Sequence, residues 1–112
     1  MREKHVAFYD ENIKKAFEEL KSGKSADFVI YKAINNAIDK LKQNPKYGIH
    51  IPKKLIPEEY IRKYDVDNLW KYNLPKAWRL LYTLKADKVM ILAVILDWKD
   101  HKSYSRLFKY KK

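Results

Sequence analysis

Eight consecutive apolar residues, Val89-Met90-Ile91-Leu92-Ala93-Val94-Ile95-Leu96, constrain this chain more than any other feature. A run of that length bounded by turn residues reads as a strand covered on both faces, because neither side of it presents a polar group to water. Such a strand needs neighbours, and the preceding residues supply them. Leu69-Trp70-Lys71-Tyr72-Asn73-Leu74 alternates, Pro75-Lys76 turns, and Trp78-Arg79-Leu80-Leu81-Tyr82-Thr83-Leu84 returns. Ala86-Asp87-Lys88 turns again into the apolar run. The result is a three-stranded antiparallel meander.

The first part of the chain supplies the cover. His5-Val6-Ala7-Phe8-Tyr9 is a short aromatic and β-branched strand, and Asp10 is placed to cap the helix after it. In that helix Ile13, Ala16, Phe17 and Leu20 form one stripe, with Lys14, Lys15, Glu18 and Glu19 facing water. Gly23 stands where a helix C-terminus favours a left-handed residue. Ser25 is expected to cap a second helix, in which Ile30, Ile34, Ala37 or Ile38, and Leu41 recur until Asn44-Pro45 stops it. The order implies an α+β fold. A small twisted antiparallel sheet, the N-terminal strand plus the C-terminal meander, packs against two N-terminal helices.

At 112 residues one domain is expected, spanning 1–112. It divides into a helical hairpin (10–44), an irregular connector (45–67) and the meander with a basic tail (68–112). The connector holds three of the four prolines, and long loops are often functional. Within it, Pro57-Glu58-Glu59-Tyr60-Ile61-Arg62 suits a single helical turn.

Composition excludes several chemistries. The absence of cysteine removes disulfides, thiolate nucleophiles and cysteine zinc sites. His5, His50 and His101 lack ligand spacing, so no metal is expected. Two glycines cannot build a phosphate-cradling loop, and no cofactor is implied. Glu18-Glu19 and Glu58-Glu59 are adjacent pairs that point apart on a helix and read as solvated faces. No apolar stretch approaches the ~20 residues that span a bilayer, so no membrane partner is expected. The charged opening Met1-Arg2-Glu3-Lys4-His5 lacks a signal peptide's apolar run, which suggests a cytoplasmic location.

Charge points the other way, toward a partner. The net charge is +11, unevenly spread: residues 1–41 hold 8 basic and 7 acidic side chains, whereas residues 42–112 hold 17 and 7. A near-neutral half followed by a strongly basic half suits a scaffold carrying a surface for RNA or another polyanion.

The candidate chemistry lies at the ends of the meander. Arg79, between Trp78 and Leu80 in a strand, needs either a partner or a task; a helix carboxylate would be the structural explanation. Lys71 lies in the preceding strand, and Asp97-Trp98-Lys99-Asp100-His101-Lys102-Ser103-Tyr104-Ser105-Arg106 follows the apolar run. Register decides whether these residues meet. A two-residue loop at Pro75-Lys76 pairs Tyr72 with Arg79 and turns Lys71 away. A three-residue loop, Pro75-Lys76-Ala77, pairs Asn73 with Arg79 and puts Lys71, Asn73 and Arg79 on one face. The longer loop is expected, although Ala77 suits a left-handed position poorly.

Such a cluster suits metal-independent cleavage of RNA. The ribose 2′-hydroxyl attacks the adjacent phosphorus while Arg79 braces the nonbridging oxygens. His101, or a Lys tuned by neighbouring cations, moves the proton. Tyr104 or Trp98 stacks on a splayed base. Lys53, Lys54, Asn73, Lys99, Lys102 and Arg106 are the further candidate RNA contacts.

The run Leu69–Pro75, then Trp78-Arg79-Leu80-Leu81-Tyr82-Thr83, the apolar strand and the His101…Tyr104 tail resemble the RelE/ParE toxin superfamily, in particular its RelE-type toxins. The resemblance implies a toxin of a toxin–antitoxin system that cleaves mRNA on the ribosome and is restrained by a cognate acidic antitoxin. Carried over by position, it gives Lys71 a part in proton transfer or charge stabilisation. Arg79 would support the scissile phosphate, and Tyr104 would stack on or orient the substrate. Asn73 stands where RelE-type toxins often have a second lysine, and the Asp100-His101-Lys102-Ser103-Tyr104 tail is more compact than the family's. His101 would then take over acid/base work. The alternatives on the same fold are a non-catalytic module, either an RNA or ribosome binder or a decayed toxin that only pairs with an antitoxin, and a ParE-like gyrase inhibitor.

Overall fold

The structure, a computed structural model, describes residues 2–109. The elements are β1 (Glu3–Phe8), α1 (Glu11–Leu20), α2 (Ser25–Gln43), β2 (Ile49–Ile51), α3 (Glu58–Tyr64), β3 (Leu69–Asn73), β4 (Arg79–Ala86), β5 (Met90–Lys99) and α4 (His101–Lys109). The strands form one sheet in the order β1-β5-β4-β3-β2. The apolar run is β5, flanked by a strand on each side as its composition demands. The α+β class and the meander agree with the sequence.

The sheet is mixed rather than antiparallel: β1 runs parallel to β5, with Val6 opposite Ala93. A hairpin forces antiparallel pairing, but β1 and β5 are joined through the helical hairpin and the rest of the sheet. A crossover that long permits parallel pairing at the free edge of β5.

Local signals at the helix ends hold in part. The Asp10 carboxylate accepts from the Ile13 amide at 2.9 Å and caps α1. Ser25 does not cap α2 but is its first residue; Lys24 is the cap, and its amide donates to Asp27 Oδ2 at 3.3 Å. Gly23 is not left-handed. A Cβ there would crowd the Asp27 side chain that caps α2.

Two cores lie on opposite faces of the sheet. Phe17, Ile30, Ile34, Ala37 and Leu41 of the helical hairpin pack with Leu80, Tyr82, Ala93 and Ile95 on one face. The other face carries Leu69, Leu81, Val94 and Leu96. Its cover comes from the 45–67 segment, expected to be irregular apart from one helical turn at 57–62: Ile51, Ile56, Tyr60, Tyr64 and Val66, with Tyr104, Leu107 and Phe108 at the margin. The connector therefore folds as β2, a 3₁₀ turn at Lys53–Leu55, and α3. The basic tail is likewise corrected to a helix, α4, because its apolar residues recur at helical spacing and can close this second core. The last residues of the basic ending, Tyr110-Lys111-Lys112, lie outside the described ones.

Candidate functional site

The β3–β4 loop takes its three-residue form, Pro75–Ala77, and pairs Asn73 with Arg79 and Lys71 with Leu81. Lys71, Asn73 and Arg79 therefore share the face that α3 and α4 cover. The loop accepts strain to do this: Lys76 and Ala77 have φ of 60° and 62°. Its last carbonyl, that of Ala77, accepts a hydrogen bond from Arg79 Nη1.

A bulge in β5 extends the same surface. Tyr82 pairs with Ile95 but Leu81 pairs with Asp97, leaving Leu96 as the extra residue. From there on the alternation of β5 is reversed. Asp97 and Lys99 turn to the face of Arg79, with Lys99 directly opposite it. Trp98 turns to the helical hairpin, where its ring meets that of Phe17 edge-on at 6.4 Å. Trp98 is thus half-buried against the helical hairpin, on the face of the sheet opposite Arg79 and Lys71.

Tyr104 of α4 lies over this face. The Arg79 guanidinium carbon is 5.1 Å and the Lys71 Nζ 5.3 Å from the centre of its ring. Phe108 packs against the same ring at 4.5 Å. Asp100 sets the start of the helix: its Oδ1 accepts from the Ser103 amide at 2.7 Å and its carbonyl from the Tyr104 amide at 2.8 Å. The Ser103 hydrogen bonds hold the Asp100 carboxyl below the usual carboxylate range.

The charges are unequally committed. Lys99 Nζ lies 3.2 Å from Asp97 Oδ2, which also accepts from the Tyr60 hydroxyl at 2.9 Å. Burial, then the neighbouring Asp97 charge, pushes the Tyr60 hydroxyl far up, so it stays a donor. Among the described residues neither Lys71 nor Arg79 has an ion-pair partner, and the buried Arg79 Nε has no hydrogen-bond acceptor. The helix carboxylate that would have made Arg79 purely structural is not there. An oxyanion would satisfy the Nε donor, which otherwise remains buried at a cost.

The other candidates occupy the rim. His101 is exposed at the first position of α4, one turn before Tyr104; Lys102 and Arg106 are exposed on the same helix. Arg106, Lys99 and Ser103 share with Glu59 and Leu107 an open groove of about 280 Å³ between α3 and α4. Asn73 is exposed beside Arg79. Lys53 and Lys54 are exposed on the turn after β2 and make no hydrogen bond or ion pair to the cluster. Among the described residues no group of three or more His, Asp or Glu is placed to hold a metal ion, and no helix is long and apolar enough to cross a membrane.

Sequence reasoning missed Tyr60 and Asp100. The four-residue spacing of Tyr60 and Tyr64 points both rings to one face of a helix, and Asp100 precedes Ser103 at capping distance. Tyr60 lies within the turn expected at 57–62, which stops short of Tyr64, and Asp100 lies within the basic tail, so neither signal leads to a role. Compared with known proteins, the chain matches no family model, no curated protein and no solved structure.

Proposed function

We propose that the chain is a RelE-like toxin: a metal-independent endoribonuclease that cuts mRNA on the ribosome and is restrained by an acidic antitoxin. The observation that carries this reading is the convergence of Arg79 and Lys71, from neighbouring strands and without an ion-pair partner among the described residues, on the ring of Tyr104. Two fixed cations not already paired suit a group whose negative charge grows during reaction.

In the proposed reaction the ribose 2′-oxygen bonds to phosphorus as the 5′-oxygen of the next nucleotide departs. The products are a 2′,3′-cyclic phosphate and a free 5′-hydroxyl. Arg79 holds a nonbridging oxygen through its free donor, and Lys71 balances the charge of the transition state. The 2′-hydroxyl proton goes to His101, whose imidazole can both accept and donate a proton. His101 returns it to the departing oxygen. Tyr104 acts first as the platform that sets the two cations.

Translation in vitro with the protein, followed by mapping of message ends, tests this. The parent yields cyclic-phosphate ends on ribosome-bound mRNA. Arg79→Ala lowers the rate roughly 100- to 1,000-fold, as loss of one preorganised donor does elsewhere. Equal cutting by parent and Arg79→Ala would remove the proposal. One observation favours a non-catalytic RNA-binding module: Asn73, an amide, is the cross-strand neighbour of Arg79. Under that reading the parent associates with ribosomes and leaves every message intact.

A further inference from the structure

A second surface lies on the opposite face of the sheet. There α1 and α2 lie chiefly over β1 and β5, and the β3–β2 end carries aromatic rings. His50 and Trp70, direct cross-strand partners, meet edge-on with centroids 5.0 Å apart. Tyr47, just before β2, stacks on Tyr72 at 5.8 Å and remains 54% exposed. Lys40, in the last turn of α2, places Nζ 5.9 Å from the centre of the Tyr47 ring. Lys42 and Lys46 are exposed close by in the chain, and none of these three lysines has an ion-pair partner among the described residues.

The exposed ring is held in place from beneath. The buried Tyr82 hydroxyl donates to the Pro45 carbonyl at 2.9 Å and accepts from the Gly48 amide at 3.1 Å, clamping the turn that bears Tyr47. Gly48 fits only as glycine, since a Cβ would meet both the Lys71 carbonyl and the Tyr82 hydroxyl at 2.5 Å. A rigid aromatic anchor loses little conformational freedom when a ligand settles on it.

We infer that Tyr47, Tyr72 and Lys40 form a stacking site for an unpaired base of single-stranded RNA, separate from the Arg79 cluster. Exposed ring faces accept any base, and a flanking ammonium pairs with the adjoining phosphate. A margin of lysines without ion-pair partners among the described residues favours a polyanion over an apolar peptide. The site shares no residue with the proposed cleavage machinery and stands independently of that reading.

The experiment uses fluorescence anisotropy of a labelled, unstructured 2′-O-methyl RNA decamer, which lacks the attacking hydroxyl and reports binding alone. Measured on the full chain in an Arg79→Ala background, Tyr47→Ala weakens binding roughly 5- to 100-fold, the range for loss of one stacked base. Tyr47→Phe keeps affinity within about twofold, because the ring face carries the contact. Circular dichroism checks that each variant folds. Unchanged binding by Tyr47→Ala overturns the inference. So does a Tyr47→Ala chain that keeps the oligonucleotide but loses an acidic peptide, which would assign the surface to a protein. Failure of the parent to cut messages leaves this measurement unaffected.

Discussion

Lys76 and Ala77, both at positive φ, set the register on which the candidate site depends. A non-glycine residue in that region costs about 1–2 kcal/mol, so the three-residue loop is held against local preference by the strands on either side. Ala77→Gly removes the Cβ clash at a smaller entropic cost in the unfolded chain. It is expected to stabilise the protein by about 0.5–1 kcal/mol, read as a higher urea midpoint. A lower midpoint would mean that the loop is not strained. Here the sequence offered two loop lengths and fixed the consequence of each, with the cost of the longer one visible at Ala77; the strands selected the longer loop.

At the scale of elements, α4 decides whether the cations have a platform. It is a short helix, marginal by itself, and depends on its cap and on Tyr104, Leu107 and Phe108 against the second core. Asp100→Ala removes the acceptor of the Ser103 amide and frees the first turn. We expect hydrogen exchange to quicken at Ser103 and Tyr104 while β4 and β5 keep their protection; uniform change throughout the chain would contradict a local role for the cap. The meander was legible because its alternation has period two and its turns carry Pro and Asp. The bulge at Leu96 was not. One extra residue reverses the faces of Trp98 and Lys99, and no residue type near Leu96 announces it. Within the connector, Pro57-Glu58-Glu59-Tyr60-Ile61-Arg62 was legible as one helical turn, which α3 contains and extends to Tyr64; β2 and the burial of the segment emerge only once the second sheet face needs cover.

For the molecule as a whole, each sheet face is locked by a buried tyrosine hydroxyl. Tyr82 serves the helical side, and Tyr64, donating to the Leu96 carbonyl at 3.3 Å, serves the other. Burial pushes both hydroxyls up to about 12 from the ordinary value of 10.0. The raised folded values mean that the native state keeps these protons longer than the unfolded chain does. Their contribution is complete below pH 10, declines above it as the unfolded tyrosines ionise, and is spent near pH 12. Denaturant midpoints taken from pH 8 to about 12 are expected to fall across that window. Tyr64→Phe should cost about 0.5–1.5 kcal/mol at neutral pH and flatten the alkaline decline. An equally steep decline in the variant would assign the effect to other groups.

By itself, the sequence determined the α+β class, the helical hairpin, the meander and a basic second half, since periodicity, turn residues and charge act over short stretches of chain. The tertiary structure alone decided that β1 pairs in parallel, that the connector adds β2 and packs with the α4 tail on the second core, and that Tyr104 rather than Trp98 meets the cations. Those outcomes depend on which surface remains uncovered after the sheet has formed. That is a property of distant segments brought together, and no local pattern encodes it.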